Sequence, residues 1–295
     1  MKKVLVARPI FPDVIERLRQ YFEVDVEVDA NPGAPLGADE FARRMADRDG
    51  ALLAGDPVTA KVLEGAPNLK VVSNMALGYN DFDMQALNAH GVLGTNTPDV
   101  LNESTADFGW ALMMVAARRI AESEHFLRAG KWGTWSYDAF LVYRHVYGAT
   151  LGVLGMGCIG QELVRRALGF NMRVIYHNHS RVAPEIEAEL ASMQLTATLI
   201  NIAGGGIVDD AALIQALRKK TIAAAGLDVF EGEPNFNPDF LTVPNVVLTP
   251  HIASATESTC RAMANLAADN LIAALCEGPR AGNPPNPINP EVLKI

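Results

Sequence analysis

The sequence predicts an α/β protein of two domains, each built on a doubly wound parallel sheet, and three observations carry that prediction. Short apolar runs alternate with amphipathic stretches through the first hundred residues. A glycine turn stands between a strand and a helix at residues 155–160. A second strand–turn–helix series runs over residues 150–254. Repeated β–α alternation is what crossover connections impose on a parallel sheet, and 295 residues are long for one domain and comfortable for two.

Residues 4–7 form an apolar strand, after which Val14, Ile15, Leu18 and Phe22 recur at helical spacing. Val24, Val26 and Val28 alternate with Asp25, Glu27 and Asp29, the period-two pattern of an edge or half-buried strand. Further short apolar runs lie at residues 51–54, 71–72 and 91–93. A long helix begins near Ser104 and runs to about Ala129, with Ala106, Trp110, Met113, Met114, Ala117 and Ile120 on its apolar face and Ser104-x-x-Asp107 as its capping box. Gly130 ends it, and an aromatic-rich stretch follows: Trp132, Trp135, Tyr137, Phe140 and Tyr143. Ser254-x-x-Glu257 caps a last helix whose inner face carries Met263, Leu266, Leu271 and Ala274. The tail, Gly282-Asn-Pro-Pro-Asn-Pro287, cannot be helical and is expected extended on the surface.

The charge balance narrows the partners. With 25 basic and 34 acidic residues the formal net charge is −9, and no basic cluster is longer than Arg218-Lys219-Lys220. Such a chain offers no phosphate-backbone footprint, so nucleic acid is not an expected partner. No apolar run approaches the ~20 residues of a membrane span. The four apolar residues after Met1-Lys2-Lys3 are about half a secretory core. Cys158, Cys260 and Cys276 have neither pairing nor ligand spacing and read as reduced thiols of a cytoplasmic protein.

The firmest chemical signal is Gly155-Met156-Gly157-Cys158-Ile159-Gly160. It follows a strand-like run at residues 151–154, opens a helix over residues 159–168 and has a second strand at residues 173–176 behind it, the context a dinucleotide fingerprint requires. The first two glycines let backbone N–H groups approach a pyrophosphate, and the helix N-terminus adds its partial positive charge. The bland alternative is a tight βα turn with no ligand. An acidic residue at the end of the second strand would bind the ribose 2′-hydroxyl of NAD; this chain instead reads Tyr176-His177-Asn178-His179-Ser180-Arg181. Ser180 and Arg181 suit a 2′-phosphate, so NADP(H) is expected in preference to NAD(H). His177 and His179 have metal-like spacing but no third ligand nearby, and they read as loop histidines with no metal site.

Downstream lie Asp228, Glu231 and Glu233, then Thr249-Pro250-His251. A histidine beside a carboxylate suits hydride transfer at a carbinol, where the imidazole takes or gives the hydroxyl proton and the carboxylate orients the ring. From the residues alone, a lone histidine such as His251 is more often a satisfied structural one, and its pairing with Glu233 stays open.

Taken together, Leu77-Gly-Tyr-Asn-Asp-Phe-Asp83, Thr97-Pro-Asp-Val-Leu101, Thr105-Ala-Asp107, the glycine turn, Ala225-Gly-Leu-Asp-Val-Phe-Glu231 and Pro250-His-Ile-Ala-Ser-Ala-Thr256 resemble the D-isomer-specific 2-hydroxyacid dehydrogenases, in their glyoxylate/hydroxypyruvate reductase branch. The resemblance covers nearly the whole chain. It implies a Rossmann cofactor domain, residues 100–255, inserted into a flavodoxin-like substrate domain, residues 1–99 and 256–295. It implies His251 as acid/base with Glu233 as its partner, and the backbone at Leu77 and Gly78 as cradle for the carboxylate of a small 2-oxo or 2-hydroxy acid. Thr105 and Asp228 join the turn as cofactor-binding residues. The long helix and the 132–140 arm are implied to build a homodimer, while packing within the domain is an equal reading of any single ring. The implied reaction is NAD(P)H-dependent reduction of glyoxylate or hydroxypyruvate to the D-2-hydroxy acid. A cofactor-binding homologue that has lost catalysis, and another hydride donor on the same scaffold, are the alternatives.

Two departures bear on turnover. Where the family carries an arginine in a pattern like N-x-x-R-G-x-x-V-D, this chain reads Asn201-Ile-Ala-Gly204-Gly-Gly-Ile-Val-Asp209. An arginine there clamps the substrate with a rigid fork, and neither Arg144 nor Arg181 is placed to replace it. The second departure is length: only 19 residues, His179 to Ala197, separate two strands, where the family carries two further strands and their helices, about 30 residues more. Removing central strands exposes unpaired backbone and apolar surface, so we expect a segment to be missing from this sequence there. An intact mass above the 31.7 kDa of 295 residues is the expected result, and a mass of 31.7 kDa would overturn it.

Overall fold

The computed structural model describes residues 1–26, 38–135, 140, 145–177, 197–276 and 282–294. Val28 with its flanking acids, Tyr137, Tyr143, His179, Ser180 and Arg181 lie outside the described residues. The chain divides into two compact units, Met1–Leu101 with Thr256–Ile295, and Asn102–Ala255.

In the first unit, β1 (Lys3–Val6), α1 (Pro12–Arg19), β2 (Glu23–Val26), α2 (Ala38–Met45), β3 (Gly50–Leu53), α3 (Ala60–Glu64), β4 (Val71–Asn74), α4 (Met84–His90) and β5 (Leu93–Thr95) alternate as the sequence predicts. The five strands pair in parallel in the order β2-β1-β3-β4-β5. This is the flavodoxin-like order, whose ligands lie beyond the carboxyl ends of the strands. The inner strands β1 and β3 carry continuous buried apolar runs because both faces are covered, while β2 at the edge alternates. Leu5, Leu53 and Val72 pack with Phe41, Phe82 and Leu87 on one side. Val4, Val6, Leu52 and Val71 pack with Ala264, Ala267, Ala268 and Leu271 on the other. Those last four belong to the C-terminal helix Glu257–Leu275, which returns to cover β3 and β4. Its N-cap is Thr256, whose hydroxyl accepts Thr259 N–H at 3.1 Å, two residues beyond the Ser254 cap expected from the sequence. The tail is also held more firmly than a surface strand. Asn289 is buried; its Oδ1 accepts Gly94 N–H at 2.7 Å and its Nδ2 donates to Val92 O at 3.0 Å, which ties the end of the chain to β5.

The second unit opens with α5 (Asn102–Ala117) and α6 (Ile120–Arg128) in place of one long helix. Arg119 stands between them at φ +55° with its guanidinium forked onto Glu122, both contacts 2.7 Å, and that left-handed residue interrupts the helical path. Asp107 does not close a capping box: the helix has already begun at Asn102, and Asp107 instead receives Arg166 Nε at 2.7 Å from the next helix. Then follow β6 (Thr150–Leu154), α7 (Cys158–Gly169), β7 (Arg173–His177), β8 (Thr198–Asn201), α8 (Asp210–Arg218), β9 (Ala224–Leu227) and β10 (Val246–Leu248).

Among the described residues these strands form two parallel sheets, β6-β7 and β10-β9-β8. The strand order of a doubly wound sheet, 3-2-1-4-5-6, explains the split. If β6 and β7 take the places of strands 1 and 2 and β8 that of strand 5, the slot of strand 4 separates β8 from β6. Neighbouring strands must approach to about 4.8 Å to bond, and β6 and β8 do not pair across that slot. Leu154, at the end of β6, is accordingly 74% exposed. Leu213, Ile214 and Leu217 of α8 pack on Ala225 and Leu227 of β9 with Phe240 beneath, so the three-stranded remnant keeps its own core.

Candidate functional site

In the glycine turn, Gly155 takes φ +95°, a left-handed conformation that turns the chain sharply off the end of β6. A Cβ on Gly160 would be driven into the Gly155 carbonyl oxygen, so the helix can approach the strand only with glycine there. Gly157 is the N-cap of α7 and makes no side-chain cap, which leaves the first-turn N–H groups of Cys158, Ile159 and Gly160 without a side-chain partner. Met156 O accepts Gln161 Nε2 at 3.3 Å. An uncapped helix end with a glycine approach is the form that receives a pyrophosphate. Thr105, buried in α5, has a hydroxyl with no hydrogen-bond partner, an orphaned polar group that a ligand could satisfy. These features fit a dinucleotide. Asn178, Ser180 and Arg181, where the ribose would be read, lie outside the described residues.

The histidine–carboxylate pair assembles in the same unit. His251 Nδ1 lies 2.6 Å from Glu233 Oε1, and Glu233 Oε2 accepts Phe230 N–H at 3.1 Å. The pair occupies the ring's Nδ1, so Nε2 is the ring nitrogen available to a reacting group. His251 adopts φ +52°, uncommon away from glycine and a form of backbone strain that surrounding contacts must hold. Asp228 supplies them. Its Oδ1 accepts the Thr249 hydroxyl at 2.7 Å and Ile252 N–H at 3.0 Å, its Oδ2 accepts Ala253 N–H at 2.9 Å, and its carbonyl accepts His251 N–H at 2.9 Å. The family resemblance also makes Asp228 a cofactor-binding residue. The structure buries it completely and turns both of its oxygens to the histidine segment, because three donors within five residues converge on it.

The loop after β8 is tied by Asn201, whose Nδ2 donates to Gly204 O and whose Oδ1 accepts Ala203 N–H, both at 3.1 Å. A Cβ on Gly205 would strike the Phe230 carbonyl oxygen, whereas one on Gly204 would meet only Ile207 Cδ1 at 3.5 Å, an ordinary contact. Further along, Asp209 Oδ1 caps α8 through Ala212 N–H at 2.8 Å. Burial, with Glu231 and Asp209 close by, pushes the Asp210 carboxyl above the usual range. Among the described residues no group of His, Cys, Asp and Glu could hold a metal ion, and no helix is long and apolar enough to cross a membrane.

In the first unit, Leu77 is half-buried and Gly78 exposed in the turn that follows β4, at the carboxyl edge of the sheet. A Cβ on Gly78 would meet nothing within 4 Å, so the space beside its Cα is open.

Residues 4–289 match the family model described as D-isomer specific 2-hydroxyacid dehydrogenase, catalytic domain. The chain is similar to the glyoxylate reductase of Thermococcus kodakarensis, 37% identical, with 99% of this chain and 98% of that protein covered. That alignment runs over 335 positions against the 295 residues here, so at least 40 positions of it have no residue of this chain. Among solved structures, the chain is similar to the NADPH-dependent glyoxylate/hydroxypyruvate reductase of Sinorhizobium meliloti in complex with NADP and malonate. The TM-score is 0.80 at 32% identity, covering 97% of this chain and 96% of that one. A protein of Polaromonas, described as a putative NAD-binding member of the same family, gives a TM-score of 0.85 at 30% identity over 98% and 99% of the two chains.

Proposed function

This chain belongs to the D-isomer-specific 2-hydroxyacid dehydrogenases, a family of oxidoreductases, and we propose that it reduces glyoxylate or hydroxypyruvate to the D-2-hydroxy acid with NADPH in preference to NADH. The observation that carries the reading is the 2.6 Å contact between His251 and Glu233 on a segment clamped by Asp228. The turn at Gly155, Gly157 and Gly160, with Thr105, would hold NADPH, which would supply the hydride. His251 then delivers a proton from Nε2 to the oxygen of the reacting carbonyl, and Glu233 holds the ring in the tautomer and orientation this needs. The amides of Leu77 and Gly78 receive the substrate carboxylate. Asp228 acts behind the histidine by holding its strained backbone.

The cofactor preference rests on the lack of a carboxylate after β7 and on Ser180 and Arg181 following it in sequence; the Sinorhizobium relative is named as NADPH-dependent. The protein is proposed to work in the cytoplasm as a homodimer. That assembly rests on α6, which buries none of its side chains, and on exposed Leu127, Trp132 and Trp135 along it and beyond. A second reading, a cofactor-binding homologue without turnover, rests on Gly204.

Steady-state oxidation of NADPH and NADH with glyoxylate, hydroxypyruvate and pyruvate tests the proposal. NADPH binding without turnover of any of the three overturns it in favour of the second reading. In the same assay Arg181→Ala should raise the KM for NADPH by about tenfold or more, the loss of a charge-assisted contact, and leave that for NADH nearly unchanged. Equal effects on both would remove the preference.

A further inference from the structure

The turn after β4 is held by an unusual set of donors. Thr97 N–H donates to Ala76 O at 3.0 Å, Asn96 Nδ2 to Leu77 O at 2.8 Å, and Asn74 Nδ2 to Gly78 O at 2.7 Å, so three consecutive carbonyls are each taken from within the unit. Among the described residues the N–H groups of Leu77, Gly78 and Tyr79 donate to no acceptor. In a trans peptide the C=O of one residue and the N–H of the next lie in one plane and point in opposite directions. Holding the Leu77 carbonyl inward therefore aims the Gly78 N–H outward, and holding the Gly78 carbonyl aims the Tyr79 N–H likewise.

We infer that Asn96 and Asn74 are positioning residues that aim the Gly78 and Tyr79 amides at the carboxylate of the 2-oxo acid, Asn96 through Leu77 O and Asn74 through Gly78 O. The inference rests on the proposed role of this turn as the carboxylate cradle and adds Tyr79 N–H to it.

Both asparagines are themselves held. Asn74 is buried at the end of β4, and its Oδ1 accepts Gly55 N–H at 3.4 Å. Asn96 is buried just beyond β5, and its carbonyl accepts Asn270 Nδ2 at 3.1 Å. Asn270, fully buried in the C-terminal helix, accepts Asn286 N–H at 2.9 Å in turn. A side-chain amide suits the task because it donates to a carbonyl while carrying no charge that would repel or trap the anion. The turn is thus braced before any ligand arrives, and an anion meeting it need not reorganise the backbone.

Oxalate, a carboxylate that cannot be reduced by hydride at a 2-oxo carbon, serves as the probe. Its Kd is measured by titration of the wild type and of Asn96→Ser and Asn74→Ser, which lose the amide without gaining charge, while amide NMR shifts report where it binds. The expected result is a shift of the Gly78 and Tyr79 amides in the wild type, and a rise in the oxalate Kd of about tenfold in each variant, equivalent to about 1.4 kcal/mol. The Kd for NADPH should stay within about twofold, which a general loss of structure would not allow. Wild-type amide shifts with an unchanged oxalate Kd in both variants overturn the inference alone. No shift at residues 77–79 in the wild type overturns the carboxylate role of the turn and the inference with it. If a variant does not fold, a wild-type crystal with oxalate decides. An oxalate oxygen within about 3.2 Å of Gly78 N and Tyr79 N with both asparagine bonds kept supports the inference, and a flipped peptide or oxalate bound elsewhere overturns it.

Discussion

Gly204→Arg is expected to raise kcat/KM for glyoxylate by about 10²–10⁴, the range supplied by a charge-assisted contact made in the transition state. The surrounding loop is already shaped to present a side chain at that position. Gly205 must be glycine because of the Phe230 carbonyl, and Asn201 ties the backbone on both sides of the substitution, to Ala203 N–H and Gly204 O. A Cβ at Gly204 meets only Ile207 at van der Waals distance, so the first atom of a side chain is accommodated there without displacing backbone. Arginine is the residue to introduce because its planar fork can bind carboxylate and carbonyl oxygens together, a geometry lysine lacks. Steady-state kinetics of the two proteins with glyoxylate and NADPH check this, and equal kcat/KM values would show that position 204 does not face the reacting substrate.

What the sequence made legible follows the range of the interactions involved. The glycine turn could be read because all its constraints, a left-handed Gly155, an uncapped helix start and the close approach at Gly160, lie within six residues. The role of Asp228 could not: its three partners stand 21 to 25 residues away, and nothing in its neighbours announces that they converge on it. The braced turn after β4 was invisible for the same reason, since Asn96 meets Leu77 across 19 residues and Asn270 meets Asn96 across 174. Periodicity carried the apolar face through the break at Arg119, because α6 keeps helical spacing after a single left-handed residue. The short interval before β8 was legible as a count of residues, and it lies outside the described residues.

His251→Asn is expected to lower kcat by about 10²–10⁴, the usual contribution of a positioned acid/base, while the Kd for NADPH stays within about twofold. Asparagine is the informative replacement because it tolerates the φ of +52° that this position demands, whereas alanine would add backbone strain to the loss of the imidazole. The amide also cannot shuttle a proton near neutral pH, so the rate loss reports proton transfer. The Asp228 clamp on Thr249, Ile252 and Ala253 does not involve the ring and holds the segment in the variant as in the wild type. A low starting rate is expected of the chain with Gly204, so the comparison is best made in the Gly204→Arg background, where the two losses can be read against each other. A kcat that survives His251→Asn in that background would assign the proton to another group, and a parallel loss of NADPH binding would show that the histidine supports the cofactor rather than the chemistry.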